Sequence, residues 1–213
     1  TGVIPEGFTL HNYVDLFTDS NFLASVGRSI AMSIIPIIVT IVIVLLALFV
    51  TAIYFPKLEK YVQIICMIPY TIQGVILSVS ILSLYVGSSS ILSNRLVMLM
   101  GAYCIVILPY IYQGIRNGMR AVNMPTLIEA AEMLGASKIY AFFRVVVPNI
   151  LSAIIVSSLL AVGIIFGDYV LIRNLAGTSA PNMQIFLYQT MKSDSTKASA
   201  VFVIIMFVTF VIT

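Results

Sequence analysis

Long stretches without a charged residue dominate this sequence and restrict what it can fold into. They occupy residues 29–55, 61–94, 96–115, 145–167 and 198–213. A helix needs about 20 apolar residues to cross the hydrocarbon core of a bilayer, whereas a barrel strand needs about ten with alternating polarity. These stretches are mostly long enough for helices and do not alternate. We therefore predict an all-α, polytopic helical membrane protein.

The composition excludes a soluble globular domain. Hydrophobic residues make up 61% of the chain and charged residues 9%, and the mean hydropathy is +1.11. The net charge of +3 is spread over the connections between apolar stretches. It forms no basic stripe of the kind that binds nucleic acid. We expect the lipid bilayer to surround the chain and expect no nucleic-acid partner.

We predict one transmembrane domain over residues 1–213. Its spans are expected at about 29–54, 62–86, 96–115, 145–170 and 199–213. Residues 1–27 are polar enough for a loop and a short surface helix. Residues 116–144 form the longest internal polar connection, and their clustered Lys and Arg residues favour a cytoplasmic location.

The residues that usually carry chemistry are scarce and scattered. Cys66 and Cys104 lie inside apolar stretches, and His11 is the only histidine. None has a partner at the spacing of a metal site or a catalytic triad. We therefore predict that the chain is not an enzyme and has no catalytic or metal-ligating residue.

Residues 123–148 predict two short helices in series. Pro125 suits the start of the first helix, and Gly135 suits the left-handed residue that ends it. Ser137 can cap the second helix. One face of the first helix is expected to be apolar, comprising Leu127, Ile128, Ala131 and Leu134, with Glu129 and Glu132 largely off that face. Periodicity alone leaves two alternatives open, a helix lying on lipid and a helix docking on a protein.

The same segment contains Glu129-Ala130-Ala131, three residues, Gly135, nine residues, then Val145-Val146-Val147-Pro148. This spacing resembles the cytoplasmic loop signature of ATP-binding-cassette import permeases, and it precedes the penultimate span as in that family. The resemblance implies the type I importer transmembrane fold in the cell membrane. It also implies six spans, one before Thr1, and a cytoplasmic coupling loop at 116–144. Many members have an acid just before the glycine, where this chain has Leu134.

In that family the loop is a coupling helix that docks into a groove of the ATPase subunit. The resemblance gives coupling roles to Glu129, Ala130, Ala131, Gly135, Ala136 and Pro148. The alanines would permit close approach, the glutamate could pair with a basic group, and the glycine would supply a sharp turn. The implied partners are two ATPase subunits, a second, homologous permease and an extracytoplasmic solute-binding protein. This chain would bind no cofactor, because ATP and magnesium would be used by the ATPase.

Further segments resemble one branch of the family. Residues 8–17 and 166–170 are similar to permeases for polyamines, ferric iron and phosphonates. The resemblance implies import of a small polar solute, with spermidine or putrescine first and ferric iron or 2-aminoethylphosphonate as alternatives. The further acid that polyamine permeases carry is absent at 72–74. An ion-coupled secondary transporter is the rival class, and it would need paired intramembrane charges or an inverted repeat.

Candidate residues for the solute pathway follow from the cost of polar groups in a membrane. They are Asp168, Tyr169, Gln73, Tyr70 and Tyr110. Asp168 is the acid nearest the interior of a span, so it either contacts a cationic group of the solute or lies at the outer interface, paired with Arg173. Pro69 and Gly74, like Pro109, are places where a helix can bend. The small residues of 152–163 would allow close helix approach, as at a crossing of two permease subunits.

Overall fold

The computed structural model describes residues 16–72, 74–85, 87, 93–177, 182–193 and 195–212. Within them every regular element is helical, which confirms the all-α class. The helices are α1 Ser20–Ile53, α2 Glu59–Met67, α3 Val75–Tyr85, α4 Arg95–Ala121, α5 Met124–Met133, α6 Lys138–Ala141, α7 Val147–Asn149, α8 Leu151–Gly167, α9 Val170–Leu175, α10 Met183–Ser193 and α11 Ser195–Ile212. Short 3₁₀ turns occupy Pro56–Leu58 and Ile68–Tyr70, and a π-helical turn occupies Phe142–Val146. Gln73 and most of the segment 8–17 lie outside the described residues.

Helix α1 begins well before the predicted span. Its 34 residues start at Ser20, where the Asp19 side chain accepts a hydrogen bond from the backbone N–H of Asn21. The expected loop and surface helix are therefore wrong from Ser20 onward. Polar residues continue the helix because their hydroxyls bond back to the preceding turn, as Ser29 Oγ does to the Ser25 carbonyl at 2.9 Å.

Among the described residues, two helices are continuous and long enough to cross a bilayer, α1 and α4. Two bent helix pairs would bring the number to four, and the apolar part of α11, Lys197–Phe210, is shorter. Along α1 the apolar side chains that point outward form a face suited to lipid. Helix α4 continues through Pro109 and ends at Ala121, so residues 116–121 of the predicted loop are helical.

The predicted helix at 62–86 is broken. Helix α2 ends at Met67, a 3₁₀ turn containing Pro69 follows, and α3 starts at Val75 after a change in direction of 99°. Proline lacks the N–H that would continue the α-helix, and Gly74 has φ +63, a conformation that glycine adopts easily. The bend expected from Pro69 and Gly74 is thus confirmed.

Helix α4 lies at the centre of the described bundle and packs mainly against α1 and α8. Its buried face includes Leu99, Tyr103, Ile107, Ile111 and Ile115, with the spacing of one side of a helix.

Helices α4 and α8 come unusually close. A Cβ added at Gly114 would lie 2.5 Å from Ser157 Cβ, and one added at Gly118 would lie 2.6 Å from Ala153 Cβ. The small residues of α8 therefore pack against this chain's own α4. The crossing of two permease subunits expected at 152–163 stays a prediction.

Candidate functional site

Helix α5 is the first helix of the coupling segment, residues 123–148, and a sharp turn joins it to α4. Asn123 has φ 50, the one positive φ among described residues other than glycine. Asparagine tolerates this left-handed conformation better than most residues. Pro125 occupies the first turn of α5, where its missing N–H costs nothing. Met124, just before it, is buried and fixes the start of the helix against the bundle.

The faces of α5 differ in part from the prediction. Ile128 and Ala131 are buried against the bundle and Leu127 is half-buried, as expected. Ala131 therefore faces its own chain, and its coupling role stays a prediction. Glu129 and Ala130 are exposed and remain available to a partner.

The tip of α5 is also different from the prediction. Leu134, expected on the buried face, is 89% exposed, and the neighbouring Met133 is 88% exposed. The reason is that Leu134 is the residue after the last helical turn, where the backbone already departs from helical spacing. Two large apolar side chains thus project from the tip of the segment.

A Schellman motif ends α5 as the sequence predicted. The Ala136 N–H donates to the Ala131 carbonyl at 3.0 Å, and the Gly135 N–H donates to the Glu132 carbonyl at 2.9 Å. Gly135 has φ +86, which confirms the left-handed glycine. Apart from its chain neighbours, no described residue lies within 4 Å of a Cβ added there, so the backbone conformation rather than space requires glycine.

Ser137 caps the following helix, which confirms the second prediction. Its Oγ accepts a hydrogen bond from the Tyr140 N–H at 3.3 Å. Ala136 is half-buried in the turn, while Pro148 is exposed in α7 just after the π-helical turn. The axis then turns by 65° between Lys138–Asn149 and Leu151–Gly167. The segment 123–148 is therefore a chain of short rigid pieces joined by defined turns.

Asp168 lies at the end of α8 and lines a cavity of about 340 Å³ together with Tyr103 and Gly74. Its carboxylate accepts hydrogen bonds from the Tyr103 hydroxyl and the Ile172 N–H, both at 3.3 Å, and from the Leu171 N–H at 3.4 Å. The two N–H groups belong to the start of α9, so Asp168 stabilises the beginning of that helix.

The alternative in which Asp168 pairs with Arg173 is wrong. Among the described salt bridges none involves Asp168, and the Arg173 guanidinium lies 5.9 Å from the centre of the Tyr188 ring. Tyr188 also stacks on Tyr169, with ring centres 5.2 Å apart. The Lys192 ammonium group lies 4.7 Å from the centre of the Tyr188 ring, and this neighbouring cation lowers the pKa of the Tyr188 hydroxyl below the usual value. Tyr169 thus belongs to a cluster that also contains Tyr188, Arg173 and Lys192.

Tyr70 and Tyr110 line a separate open groove of about 670 Å³. It lies between α4 and α8, beside the 3₁₀ turn that follows α2. Their ring centres are 4.9 Å apart. The groove is also lined by three amide side chains, Gln113, Asn117 and Asn149, which are exposed. Sequence reasoning did not group these amides, although a spacing of four residues between the first two does indicate one helix face.

Sequence reasoning also missed an ion pair between distant elements. Arg116 on α4 donates to Glu59 on α2 from Nη2 at 2.7 Å and from Nε at 3.0 Å. The two residues are 57 positions apart. Each lies close to the end of an apolar stretch, as other charged residues of this chain do. No local pattern in the sequence links them.

Comparison with known proteins defines the class. Residues 55–213 match the family described as binding-protein-dependent transport system inner membrane component, and the chain belongs to that family. It is thus a membrane component of an ATP-binding-cassette transporter, a class that works together with ATPase subunits.

Two curated relatives are similar over much of the chain. The first is the probable ABC transporter permease protein MG188 of Mycoplasma genitalium, 23% identical over 95% of this chain and 69% of the relative. The second is its homolog in Mycoplasma pneumoniae, 25% identical over 68% of this chain and 50% of the relative. Both names describe a probable ABC transporter permease.

Proposed function

We propose that this chain is a permease subunit of an ATP-driven, binding-protein-dependent importer, with segment 123–148 as the cytoplasmic element that docks on the ATPase. The observation that carries this is the geometry of the segment. Helix α5 is anchored on one side by Ile128 and Ala131 and exposes Glu129 and Ala130 on the other. A partner that binds the exposed face of α5 can displace the bundle, because the opposite face of the helix is packed against it.

The implied assembly contains two ATPase subunits, a second homologous permease and an extracytoplasmic solute-binding protein, in a multi-pass arrangement in the cell membrane. Closure of the ATPases would favour one access state and their release the other, because docking energy differs between the states. The amide-lined groove supports the second permease, since exposed amides along a membrane helix need water or protein beside them. We place the solute pathway along this face.

We propose a small polar solute, with a polyamine such as spermidine or putrescine first. The Asp168 carboxylate on the 340 Å³ cavity supports a contact with an amine. Ferric iron and 2-aminoethylphosphonate are the alternatives. For the latter, Arg173 and Lys192 beside Tyr188 would attract the anionic group.

The coupling assignment is tested by uptake into proteoliposomes that contain the complete importer with its binding protein. Gly135→Asp should abolish uptake, because an L-residue is strained at φ +86 and the acid changes the docking surface. Glu129→Lys should do the same by reversing an exposed charge. Binding of solute to the binding protein should be unchanged in both.

Gly87→Asp is the matched control, because Gly87 also has a positive φ, +90, no described residue approaches an added Cβ there within 4 Å, and it lies outside the segment 123–148. Its uptake should remain near that of the unmodified protein. Unchanged uptake in both coupling variants would refute the assignment. Uptake that is driven by an ion gradient in the absence of ATP would instead support a secondary transporter.

A further inference from the structure

The turn between the first two apolar stretches is tied to the end of α4 by charge. Glu59, the first residue of α2, follows the 3₁₀ turn Pro56–Leu58. Its Oε1 atom accepts two hydrogen bonds from Arg116 and lies 3.4 Å from Nη2 of Arg120. The two arginines are four residues apart, so they lie on one face in the last turns of α4.

This ion pair is more sheltered than an ordinary surface pair. The Arg116 side chain is 15% exposed and that of Glu59 is 37% exposed, and the guanidinium also lies 6.0 Å from the centre of the buried Tyr112 ring. Loss of one partner would leave a largely buried guanidinium without its counter-ion, which is costly. The neighbouring Lys57 and Lys60 are exposed and take no part in a described salt bridge.

On one side the ion pair adjoins the coupling segment. Glu59 and Arg116 border a cavity of about 300 Å³ that is also lined by Asn123, Met124 and Pro125, the turn into α5 and its start. The turn at Asn123 is short and Met124 is buried. A displacement of α5 would therefore move residues that lie next to this ion pair.

On the other side the ion pair adjoins the broken second stretch, because Glu59 is the first residue of α2. Helix α2 is nine residues long, about 13 Å, and leads from Glu59 directly to the 3₁₀ turn Ile68–Tyr70, where the second stretch breaks. It lies along α4 through further contacts: Gln113 Nε2 donates to Met67 Sδ at 3.2 Å, and the Tyr70 and Tyr110 rings stack. Both contacts lie at the large groove, which Tyr70, Tyr110 and Gln113 line.

We propose that Glu59 is a positioning residue that transmits movement of the coupling segment to the groove. The ion pair makes α2 follow the end of α4, so that the break beside Tyr70 moves when α5 is displaced. This inference rests on the proposed function, and it assigns a role to a residue outside the family's loop signature.

The test compares uptake with ATP hydrolysis in proteoliposomes that contain the complete importer. Glu59→Gln keeps the shape of the side chain and removes the charge. Uptake should fall about tenfold, while ATP hydrolysis continues and loses its stimulation by the loaded binding protein. The double variant Glu59→Arg with Arg116→Glu should regain most of the uptake, because the pair is restored with reversed polarity. Lys60→Gln, which removes an exposed neighbouring charge, should leave both activities unchanged.

Wild-type uptake and stimulation in Glu59→Gln would overturn the proposal. If Gly135→Asp still abolished uptake in that case, the proposed function would stand and the role of Glu59 alone would fail. If Gly135→Asp were also harmless, the proposed function itself would fail.

A second measurement does not depend on how well the Glu59 variants fold. Spin labels at positions 60 and 121, with Cys66 and Cys104 replaced by serine, report the distance between α2 and the end of α4 in the complete importer. That distance should be the same with and without trapped nucleotide, while the distance from position 60 to a label at 160 on α8 changes. A change between 60 and 121 would overturn the proposal.

Discussion

The close approach of α4 and α8 predicts that two glycines on α4 cannot accept even a methyl group. Gly118→Ala would place a Cβ 2.6 Å from Ala153 Cβ, whereas carbon atoms in good contact are about 3.5–4.0 Å apart. The helices would have to separate by about 1 Å, and overpacking of this kind costs about 1–3 kcal/mol. Alanine also forms helices better than glycine does, and this offsets about 0.5–1 kcal/mol of the overpacking cost.

Gly101→Ala is the matched control, because Gly101 lies on the same helix and an added Cβ there would have no described residue of another element within 4 Å. The gain in helix propensity is common to both variants and cancels in their comparison. Gly118→Ala should therefore be less stable than Gly101→Ala by about 2 kcal/mol, which corresponds to about 4–8 °C in unfolding temperature. The double variant Gly118→Ala with Ala153→Gly moves the methyl group to the other helix and should recover much of the loss.

The native thiols provide the assay. Cys66 is buried and Cys104 half-buried, so a fluorogenic maleimide reacts fully with them only as the detergent-purified protein unfolds. Equal unfolding temperatures for Gly118→Ala and Gly101→Ala would refute the close approach. So would a double variant no more stable than Gly118→Ala alone.

Two further predictions use the same preparations. Asp168→Asn should retain the cap on α9, because asparagine is a good cap, but should reduce uptake of a cationic solute; unchanged uptake of spermidine or putrescine would leave Asp168 with the capping role alone. Ser137→Ala should lower the free energy of unfolding by about 1 kcal/mol through loss of the bond to the Tyr140 N–H, and Ser137→Thr should lose less; identical unfolding temperatures for wild type and Ser137→Ala would contradict this.

The sequence predicted those features whose causes are local. Gly135 and Ser137 adopt the backbone and capping roles expected of them, and the bend near Pro69 and Gly74 follows from a missing N–H and a positive φ. Each depends on a few consecutive residues. The membrane class likewise follows from hydropathy along the chain, which neighbouring helices do not change.

Features that depend on three-dimensional packing were not predictable in the same way. The exposure of Leu134 depends on where the last turn of α5 ends. The pairing of Glu59 with Arg116 depends on α2 lying along α4. A single sequence shows that these charges exist but not which distant charge each will meet.

The exposed tip of the coupling segment affects the life of the chain before assembly. Met133 and Leu134 are almost fully exposed, and large apolar side chains in water are recognised by chaperones and proteases and promote aggregation. Under the proposed function only the ATPase covers them. Synthesis of this subunit without its partner should therefore give a short-lived product, and the cellular amount of the permease would be set by the supply of the ATPase.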